Sequence, residues 1–210
     1  MEARYKYPRT PHVPWSPGAS SDDRIARGVM PWEGIEVVVT EKMDGENTTL
    51  YRDGLHARSL DSGHHASRDY VKRLQARIAS EIPQGWRICG ENCYAVHSLA
   101  YAALPDYFLV FSIWDQDNRA LSWDQTREWC ALLGLEPVPE LARGLCSEQW
   151  LRQLTIDPAY QEGWVLRPVH GFHYDDFSRN VLKYVRAGHV ETSTHWRYQA
   201  MAVNGVIPDA

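Results

Sequence analysis

A lysine at the end of a β-branched stretch is the residue with the clearest chemical potential in this chain. The segment Ile35–Thr40 runs directly into Glu41-Lys42-Met43-Asp44-Gly45-Glu46-Asn47. A lysine becomes a nucleophile only after it loses its proton, so its pKa must fall from about 10.4. Asp44 and Glu46 alone would raise that pKa, so this chemistry requires cations close to Lys42. Without them, the segment is an ordinary surface turn.

Three later segments could supply the partners that such a lysine needs. Glu91 and Asn92 end one predicted buried strand, and Glu162 directly precedes another. Lys183 lies inside an apolar strand, where a charge without a partner is costly. A nucleotide site needs this combination of a nucleophile, carboxylates for a ribose and a metal, and cations for phosphates. Each of these segments alone is more often part of a surface ion pair.

The elements that must position these residues are mostly strands. Apolar, β-branched and aromatic runs predict strands over 35–40, 48–51, 86–93, 107–114, 163–167 and 180–185. Asp53-Gly54 is a strong signal for a hairpin turn after the second of them. Strands outnumber helices and do not alternate regularly with them, which predicts an α+β fold with mainly antiparallel sheets.

Two helices interrupt the strands. Val71, Leu74, Ile78 and Ile82 form an apolar stripe that predicts a helix over residues 67–82. A second helix is predicted after Ser122, because Ser122-Trp123-Asp124-Gln125 has the form of a capping box and Gly134 can end it.

The first residues of the chain differ in composition from the rest. Pro8, Pro11, Pro14 and Pro17 recur every three residues, which favours an extended, polyproline-like arm that wraps over the domain surface. We therefore divide the chain into a proline-rich N-terminal arm (1–34) and a main domain with a short C-terminal extension (35–210).

Composition places the chain among globular proteins. It has 210 residues, 44% hydrophobic and 23% charged, which suggests one domain and excludes a disordered or fibrous chain. The net charge of −5 means that any contact with nucleic acid must come from a local cationic face. No apolar run approaches the roughly 18 residues of a membrane span, and the N-terminus does not look like a signal peptide, so we expect a cytoplasmic protein without a membrane partner.

The four cysteines include no CxxC pair and are expected to be buried thiols rather than disulfides or zinc ligands.

Taken together and in order, the candidate residues resemble a known family. Lys42-Met43-Asp44-Gly45, Arg58-Ser59, Gly90-Glu91-Asn92, Phe111, Glu162-Gly163 and Lys183 follow the motif order of the covalent nucleotidyltransferase superfamily, which contains polynucleotide ligases and RNA-capping enzymes. The chain looks most like the RNA ligase branch, which favours an asparagine at the position of Asn47. Residues 90–98 and 107–115, Lys183-Tyr184-Val185-Arg186, His189-Val190 and His195-Trp196 are similar to small bacterial and phage RNA ligase-like proteins.

The resemblance covers about residues 35–186 and implies a fold and an activity. The fold would be a nucleotidyltransferase domain, the ATP-grasp-like adenylation domain of ligases, built on antiparallel sheets flanked by helices. Lys42 would attack the α-phosphate of ATP to give lysyl-AMP and pyrophosphate. The AMP would pass to an RNA 5′-phosphate, and an RNA 3′-hydroxyl would displace it, which is an RNA repair reaction. The cofactors would be ATP and Mg²⁺ or Mn²⁺.

The resemblance also implies a role for each site residue. Arg58 and Glu91 would hold the ribose, and Phe111 would stack on adenine. Nucleotide contacts would come from Glu41 and Asn47 in the pocket and from Lys183 at the α-phosphate, where its charge would help to depress the pKa of Lys42. Glu162 would help to bind the metal.

Two departures from the family pattern bear on this interpretation. The family commonly has a second lysine two residues after the first in its last motif, where this chain has Val185. Arg186 is the nearest cation and our candidate for that contact, although strict alternation would point it to the opposite face. About 24 residues follow the strand of Lys183, too few for the OB-fold domain of DNA ligases and capping enzymes, so we expect a minimal core without an OB domain that works with an RNA end-healing partner protein.

Other interpretations remain open from the sequence. The same motifs would fit another polynucleotide ligase, a GTP-using capping enzyme, or a non-catalytic module that binds nucleotide or nucleic acid. Arg68, Lys72, Arg73 and Arg77 make a partial cationic face on the first helix, which is either a solvated face or a phosphate track. His64-His65 could contact a metal or a phosphate but is more typical of a polar turn, and His97, His189 and His195 could equally contact RNA phosphates or serve as core or capping residues.

Overall fold

Strands dominate the part of the chain that the computed structural model describes, residues 3–188 and 201–208. The strands there are β1 (Glu36–Glu41), β2 (Glu46–Tyr51), β3 (Gly54–Ala57), β4 (Arg87–Asn92), β5 (Phe108–Trp114), β6 (Arg119–Ala120), β7 (Glu136–Pro137), β8 (Glu140–Leu145), β9 (Gly163–Pro168), β10 (Phe172–His173) and β11 (Leu182–Val185). The α-helices are α1 (Asp69–Ile78), α2 (Trp123–Leu133), α3 (Glu148–Gln153) and α4 (Phe177–Asn180). The predicted α+β class is confirmed.

The strands form two sheets. The first has four strands in the order β11-β9-β1-β8, and the second has seven, in the order β10-β6-β5-β4-β2-β3 with β7 added beside β5. Among the pairings of these strands, only β5 with β7 is parallel. The predicted predominance of antiparallel pairing is therefore confirmed.

Alternation along β1 explains how the two sheets share a core. Val37 and Val39 are fully buried on one face, in a cluster with Trp164, Leu166 of β9 and Leu151 of α3. Val38 is also fully buried, but it belongs to a different cluster, with Leu109 of the second sheet. Because successive side chains of a strand point to opposite faces, the four-stranded sheet packs on α3 with one side and on the second sheet with the other.

Helices α1 and α2 cover the far face of the seven-stranded sheet. Val71, Leu74 and Ile78 of α1 pack in one cluster with Cys130 of α2 and with β2, β4 and β5. Helix α2 has Ser122 as its N-cap, with a full capping box, and Gly134 as its C-cap in the left-handed conformation, as predicted. Helix α1 is shorter than predicted, because short 3-10 turns at Ala66–Arg68 and Ala79–Glu81 replace its ends.

Several elements were not predicted from the sequence, and β8 shows why. Its six residues are all exposed or half-buried, so it lacks the apolar alternation that marks a strand. The predicted strand over 180–185 also starts late, since Asn180 ends helix α4 and β11 begins at Leu182. The hairpin at Asp53-Gly54 is present, with Gly54 at φ 142°.

The N-terminal arm is built into the fold rather than laid over it. His12 and Val13 are 0% exposed, and Val13 belongs to the core cluster of the four-stranded sheet. The backbone N–H of Val13 donates to the carbonyl of Lys183, and the N–H of Lys183 donates to the carbonyl of Pro11, both at 2.9 Å. The arm therefore continues the sheet beyond β11, while the domain division at residue 35 stays a prediction.

The four cysteines are all buried and none forms a disulfide, as expected for structural thiols. None of the helices in residues 3–188 and 201–208 combines the length and apolar character needed to cross a bilayer. His189, Val190, His195 and Trp196, which contributed to the family resemblance, lie outside the described residues.

The close approach of β9 and β11 gives a first prediction. A Cβ added at Gly163 would lie 1.9 Å from the backbone oxygen of Tyr184, so Gly163→Ala must push the two strands apart. We expect a loss of at least about 1–3 kcal/mol in the free energy of unfolding, as for overpacked cores. Chemical denaturation measures it, with Gly144→Ala as control, because a Cβ there meets nothing closer than 3.9 Å. Equal stabilities of the two variants would contradict the prediction.

Candidate active site

Lys42 follows the last residue of β1 and is held there by β9. Its backbone N–H donates to the carbonyl of Gly163 at 3.0 Å. Its Nζ donates to Oε2 of Glu162 at 2.5 Å, and the Glu162 side chain is only 6% exposed. The pairing of β1 with β9 thus places the candidate nucleophile beside the candidate metal ligand.

Electrostatics keep Lys42 protonated in this state. Burial alone would lower the pKa of Lys42, but Glu162, Glu91 and Asp44 together raise it above its ordinary value. Lys183 behaves oppositely, since burial and the neighbouring Lys42 ammonium lower its pKa. The cations near Lys42 therefore do not depress its pKa here, contrary to the expectation from the sequence, because three carboxylates outweigh them.

Glu91 faces this lysine from the second sheet. It lies on β4 opposite Asn47 of β2, and its Oε1 accepts the N–H of Gly45 at 3.2 Å. Burial raises the pKa of Glu91 to about 8, and the negative charges of Glu162 and Asp44 add to the rise against the opposing effect of Lys42. Glu91 therefore keeps its proton to a higher pH than an ordinary glutamate does.

The turn after Lys42 is fixed by hydrogen bonds of Asp44. Its Oδ2 accepts the backbone N–H groups of Ser98 and Leu99 and the hydroxyl of Ser98, each at 2.7 Å. Its own N–H donates to the hydroxyl of Tyr101 at 2.9 Å. Gly45 is required beside it, because a Cβ there would lie 2.5 Å from the backbone oxygen of Asn92. Asp44 thus positions the turn rather than facing the cavity.

A cavity of about 440 Å³ opens between the two sheets, a volume typical of small-molecule sites. Seven of the nine predicted site residues line it: Glu41, Lys42, Asn47, Arg58, Glu91, Phe111 and Lys183. Glu162 meets the site through its bond to Lys42. Arg186 is not among the lining residues, and its backbone N–H donates to the carbonyl of Glu162. Val185, at the position of the missing lysine, is fully buried.

Three buried polar atoms on the wall of this cavity have no hydrogen-bond partner within the described residues. They are Oδ1 of Asn47, Nε of Arg58 and Nη1 of Arg167. Buried polar groups are normally satisfied, so such atoms indicate a place for a polar ligand. Among residues 3–188 and 201–208, no group of three or more His, Cys, Asp or Glu side chains could hold a metal by itself.

One wall of the cavity was not predicted from the sequence. Arm residues 7–10 and 22–24 and Arg167 of β9 line it as well. The prolines signalled an extended arm, but nothing in the sequence showed where the arm would lie. Burial lowers the pKa of Arg167 to about 10, although the side chain stays a cation at neutral pH.

The predicted cationic face of the first helix is wrong in one member. Arg68 is 3% exposed and forms a two-pronged pair with the carboxylate of Glu46, at 2.6 and 2.5 Å. It ties the start of α1 to β2, next to Asn47, instead of facing solvent. In the neighbouring turn His65 caps the 3-10 turn through Ser67, in agreement with the polar-turn reading.

The raised pKa of Glu91 predicts a pH-dependent stability. A carboxyl whose pKa rises from 4.5 to about 8 on folding stabilises the fold at low pH, and this contribution is lost as the pH rises through 8. The stability of the wild type relative to Glu91→Gln should therefore fall between pH 5 and pH 9. Chemical denaturation across this range measures the difference, and Glu128→Gln, at an exposed position on α2, is the control. A difference that stays constant with pH would refute the shift.

Comparisons with known proteins identify the family of this chain. The family model described as RNA ligase matches residues 35–185. Among curated proteins, no sequence matches the chain. Solved structures that it resembles include Naegleria gruberi RNA ligase with PPi (TM-score 0.56, 18% identity) and a variant of that ligase with AMP and Mn (TM-score 0.55, 17% identity). In both cases the match covers 78% of this chain and 53% of the other.

This chain therefore spans about half the length of those ligase structures, and at such low identity the likeness shows the fold alone. That fold is the nucleotidyltransferase fold predicted above. The family assignment rests on the matched residues, which cover well over half of the chain and contain Lys42, Glu91, Glu162 and Lys183. The chain belongs to the RNA ligase family.

Proposed function

We propose that this protein is an ATP-dependent RNA ligase that works through lysyl-AMP at Lys42. The observation that carries the proposal is the position of Nζ of Lys42. It reaches a cavity between two sheets whose wall also contains Glu91, Phe111 and Lys183. Solved structures of the Naegleria ligase hold PPi, AMP with Mn, and ATP with Mn, which supports the same class of ligands here.

The first step forms a bond from Nζ of Lys42 to the α-phosphorus of ATP. The bond between the α-phosphorus and its bridging oxygen breaks, and pyrophosphate leaves with the electron pair. Lys42 must first give up its ammonium proton, and the carboxylate of Glu162, 2.5 Å from Nζ, is placed to accept it. Because nearby carboxylates raise the pKa of Lys42, the nucleophile forms only once their charge is offset.

The lining residues suggest how ATP is held. Phe111 offers a half-buried ring for adenine, and Arg58 and Glu91 offer a donor and a carboxyl for the ribose hydroxyls. Lys183, whose pKa is lowered by burial and by Lys42, would contact the α-phosphate. Glu41 and the unpartnered Oδ1 of Asn47 complete the pocket. Arg186 remains a candidate for a phosphate contact only if its side chain turns towards the cavity.

A divalent cation, Mg²⁺ or Mn²⁺, fits the donors that this chain presents. Mg²⁺ in phosphate-transfer sites commonly uses one or two carboxylates together with substrate phosphates. Glu162 would be that carboxylate, consistent with the absence of a closed ligand set among the described residues. When bound, the ion would neutralise charge on the phosphates.

The later steps complete a phosphodiester bond. The AMP passes from Lys42 to an RNA 5′-phosphate, and a 3′-hydroxyl then attacks that phosphate and releases AMP. RNA ends are thus the proposed substrates and repair the proposed role. The end-healing partner protein and the cytoplasmic location stay predictions.

Intact-mass spectrometry after incubation with ATP and Mg²⁺ tests the proposal. We expect one added AMP on the wild type and none on Lys42→Ala. The chain contains only four lysines, and the half-exposed Lys72 on α1 provides a matched control, so Lys72→Ala should be labelled like the wild type.

The same experiment separates the other functions. Labelling with GTP in place of ATP would indicate a capping-type enzyme. ATP binding with neither an adduct nor pyrophosphate release would indicate a non-catalytic module. Labelling that persists in Lys42→Ala would refute the proposed nucleophile.

A further inference from the structure

The N-terminal arm forms the outer wall of the Lys42 cavity. Two of its segments, residues 7–10 and 22–24, line the cavity together with the residues of the RNA ligase motifs. Each segment contributes one arginine, Arg9 and Arg24, and both arginines are exposed. Lys42, in contrast, is partly buried at the inner side. The two arginines therefore stand where a ligand that extends from Lys42 towards solvent would pass.

Backbone hydrogen bonds hold the two segments side by side. The N–H of His12 donates to the carbonyl of Arg24 at 2.7 Å, and the N–H of Ala26 donates to the carbonyl of His12 at 2.8 Å. The arm also pairs with Lys183 through Pro11 and Val13, as described above. The wall is thus connected directly to the strand that carries Lys183.

Side chains on either side of Arg9 anchor the arm. The ring of Tyr7 packs edge-on against Phe111, with ring centroids 4.9 Å apart, and against Phe177 at 5.2 Å. Val13 is fully buried in the core of the four-stranded sheet. A cation between two such anchors is held near the cavity at a reduced entropic cost on binding.

The two arginines of this wall can bind an anion. Within the described residues, neither Arg9 nor Arg24 makes an ion pair with a carboxylate. Burial lowers the pKa of Arg58, and the positive charge of Arg9 lowers it further, so these two cations are close enough to repel each other. An anion between them would relieve that repulsion.

Two carboxylates also lie on this wall, and one of them is already engaged. Oδ2 of Asp23 accepts the N–H and the hydroxyl of Ser20 at 3.0 and 2.8 Å and lies 3.6 Å from Nε2 of His12. Asp22 is exposed. These contacts hold the Asp23 carboxylate through Ser20 and His12, which do not line the cavity, and none of them involves Arg9 or Arg24.

We propose that Arg9 and Arg24 form a polyphosphate subsite that binds the β- and γ-phosphates of ATP and stabilises pyrophosphate as it leaves. This inference rests on the proposed function, because it assumes that the α-phosphate lies at Lys42. When the bond from the α-phosphorus to the bridging oxygen breaks, the electron pair and the negative charge move to pyrophosphate. Arginines that face this group stabilise that charge by charge-assisted hydrogen bonds.

Binding of ATP, inorganic pyrophosphate and AMP, measured by calorimetry in a Lys42→Ala background, tests the subsite. We expect the double substitution Arg9→Ala, Arg24→Ala to weaken the binding of ATP and of pyrophosphate at least about tenfold, because both arginines lose charge-assisted hydrogen bonds to the outer phosphates. AMP lacks the outer phosphates, so its affinity should change less than about twofold. Arg27→Ala, an exposed arm arginine away from the cavity, is the matched control, and Arg9→Lys with Arg24→Lys should restore part of the affinity.

An equal loss of affinity for AMP and ATP would mean that the arm acts only by supporting Lys183, and it would overturn the subsite, as would no loss at all. Circular dichroism of the double variant confirms that it is folded. The subsite and the ligase proposal fail separately. Arginine-dependent ATP binding by a wild type that forms no adduct would keep the subsite and reject the ligase. If the double variant Arg9→Ala, Arg24→Ala formed the adduct with the wild-type KM for ATP, the ligase proposal would stand and the subsite would be rejected.

Discussion

The pairing of β9 with β1 on one side and β11 on the other is the constraint on which the site depends. The register sets Glu41 opposite Trp164, and Lys183 opposite Val165. Since side chains alternate along a strand, a slip of one residue in either pairing would turn Lys183 or the end of β1 away from the cavity. Gly163 lets β11 approach β9 closely, and its carbonyl accepts the backbone N–H of Lys42.

The turn that follows Lys42 connects β1 to the second sheet. Asp44 ties the turn to the loop at Ser98, and Gly45 fits against the backbone of Asn92. Glu91 is consequently brought close to Glu162 and Asp44, and burial with these like charges raises its pKa. The same carboxylates hold Lys42 as an ammonium. Without a ligand, the site therefore positions Lys42 but keeps it protonated, so it is not yet a nucleophile.

The arm adds a third component to the two sheets. A proline lacks a backbone N–H but keeps its carbonyl, so Pro11 can accept the N–H of Lys183 in β11. The next arm residue, His12, extends the pairing outwards through hydrogen bonds with the backbone of Arg24 and Ala26. The arm thus joins the sheet and at the same time brings Arg9 and Arg24 to the cavity.

Much of this protein was determined by local sequence. Period-two alternation and β-branched runs predicted the long strands, the capping box and Gly134 predicted helix α2, and the ordered motifs predicted seven residues of one cavity. Tertiary structure decided what local patterns do not encode. The exposed strand β8 pairs because β1 offers it a partner, Arg68 is buried because Glu46 lies opposite, and the pKa of Lys42 rises because carboxylates from three segments converge on it. The arm reached the cavity for the same reason: long-range hydrogen bonds to Lys183, rather than the spacing of its prolines, set its path.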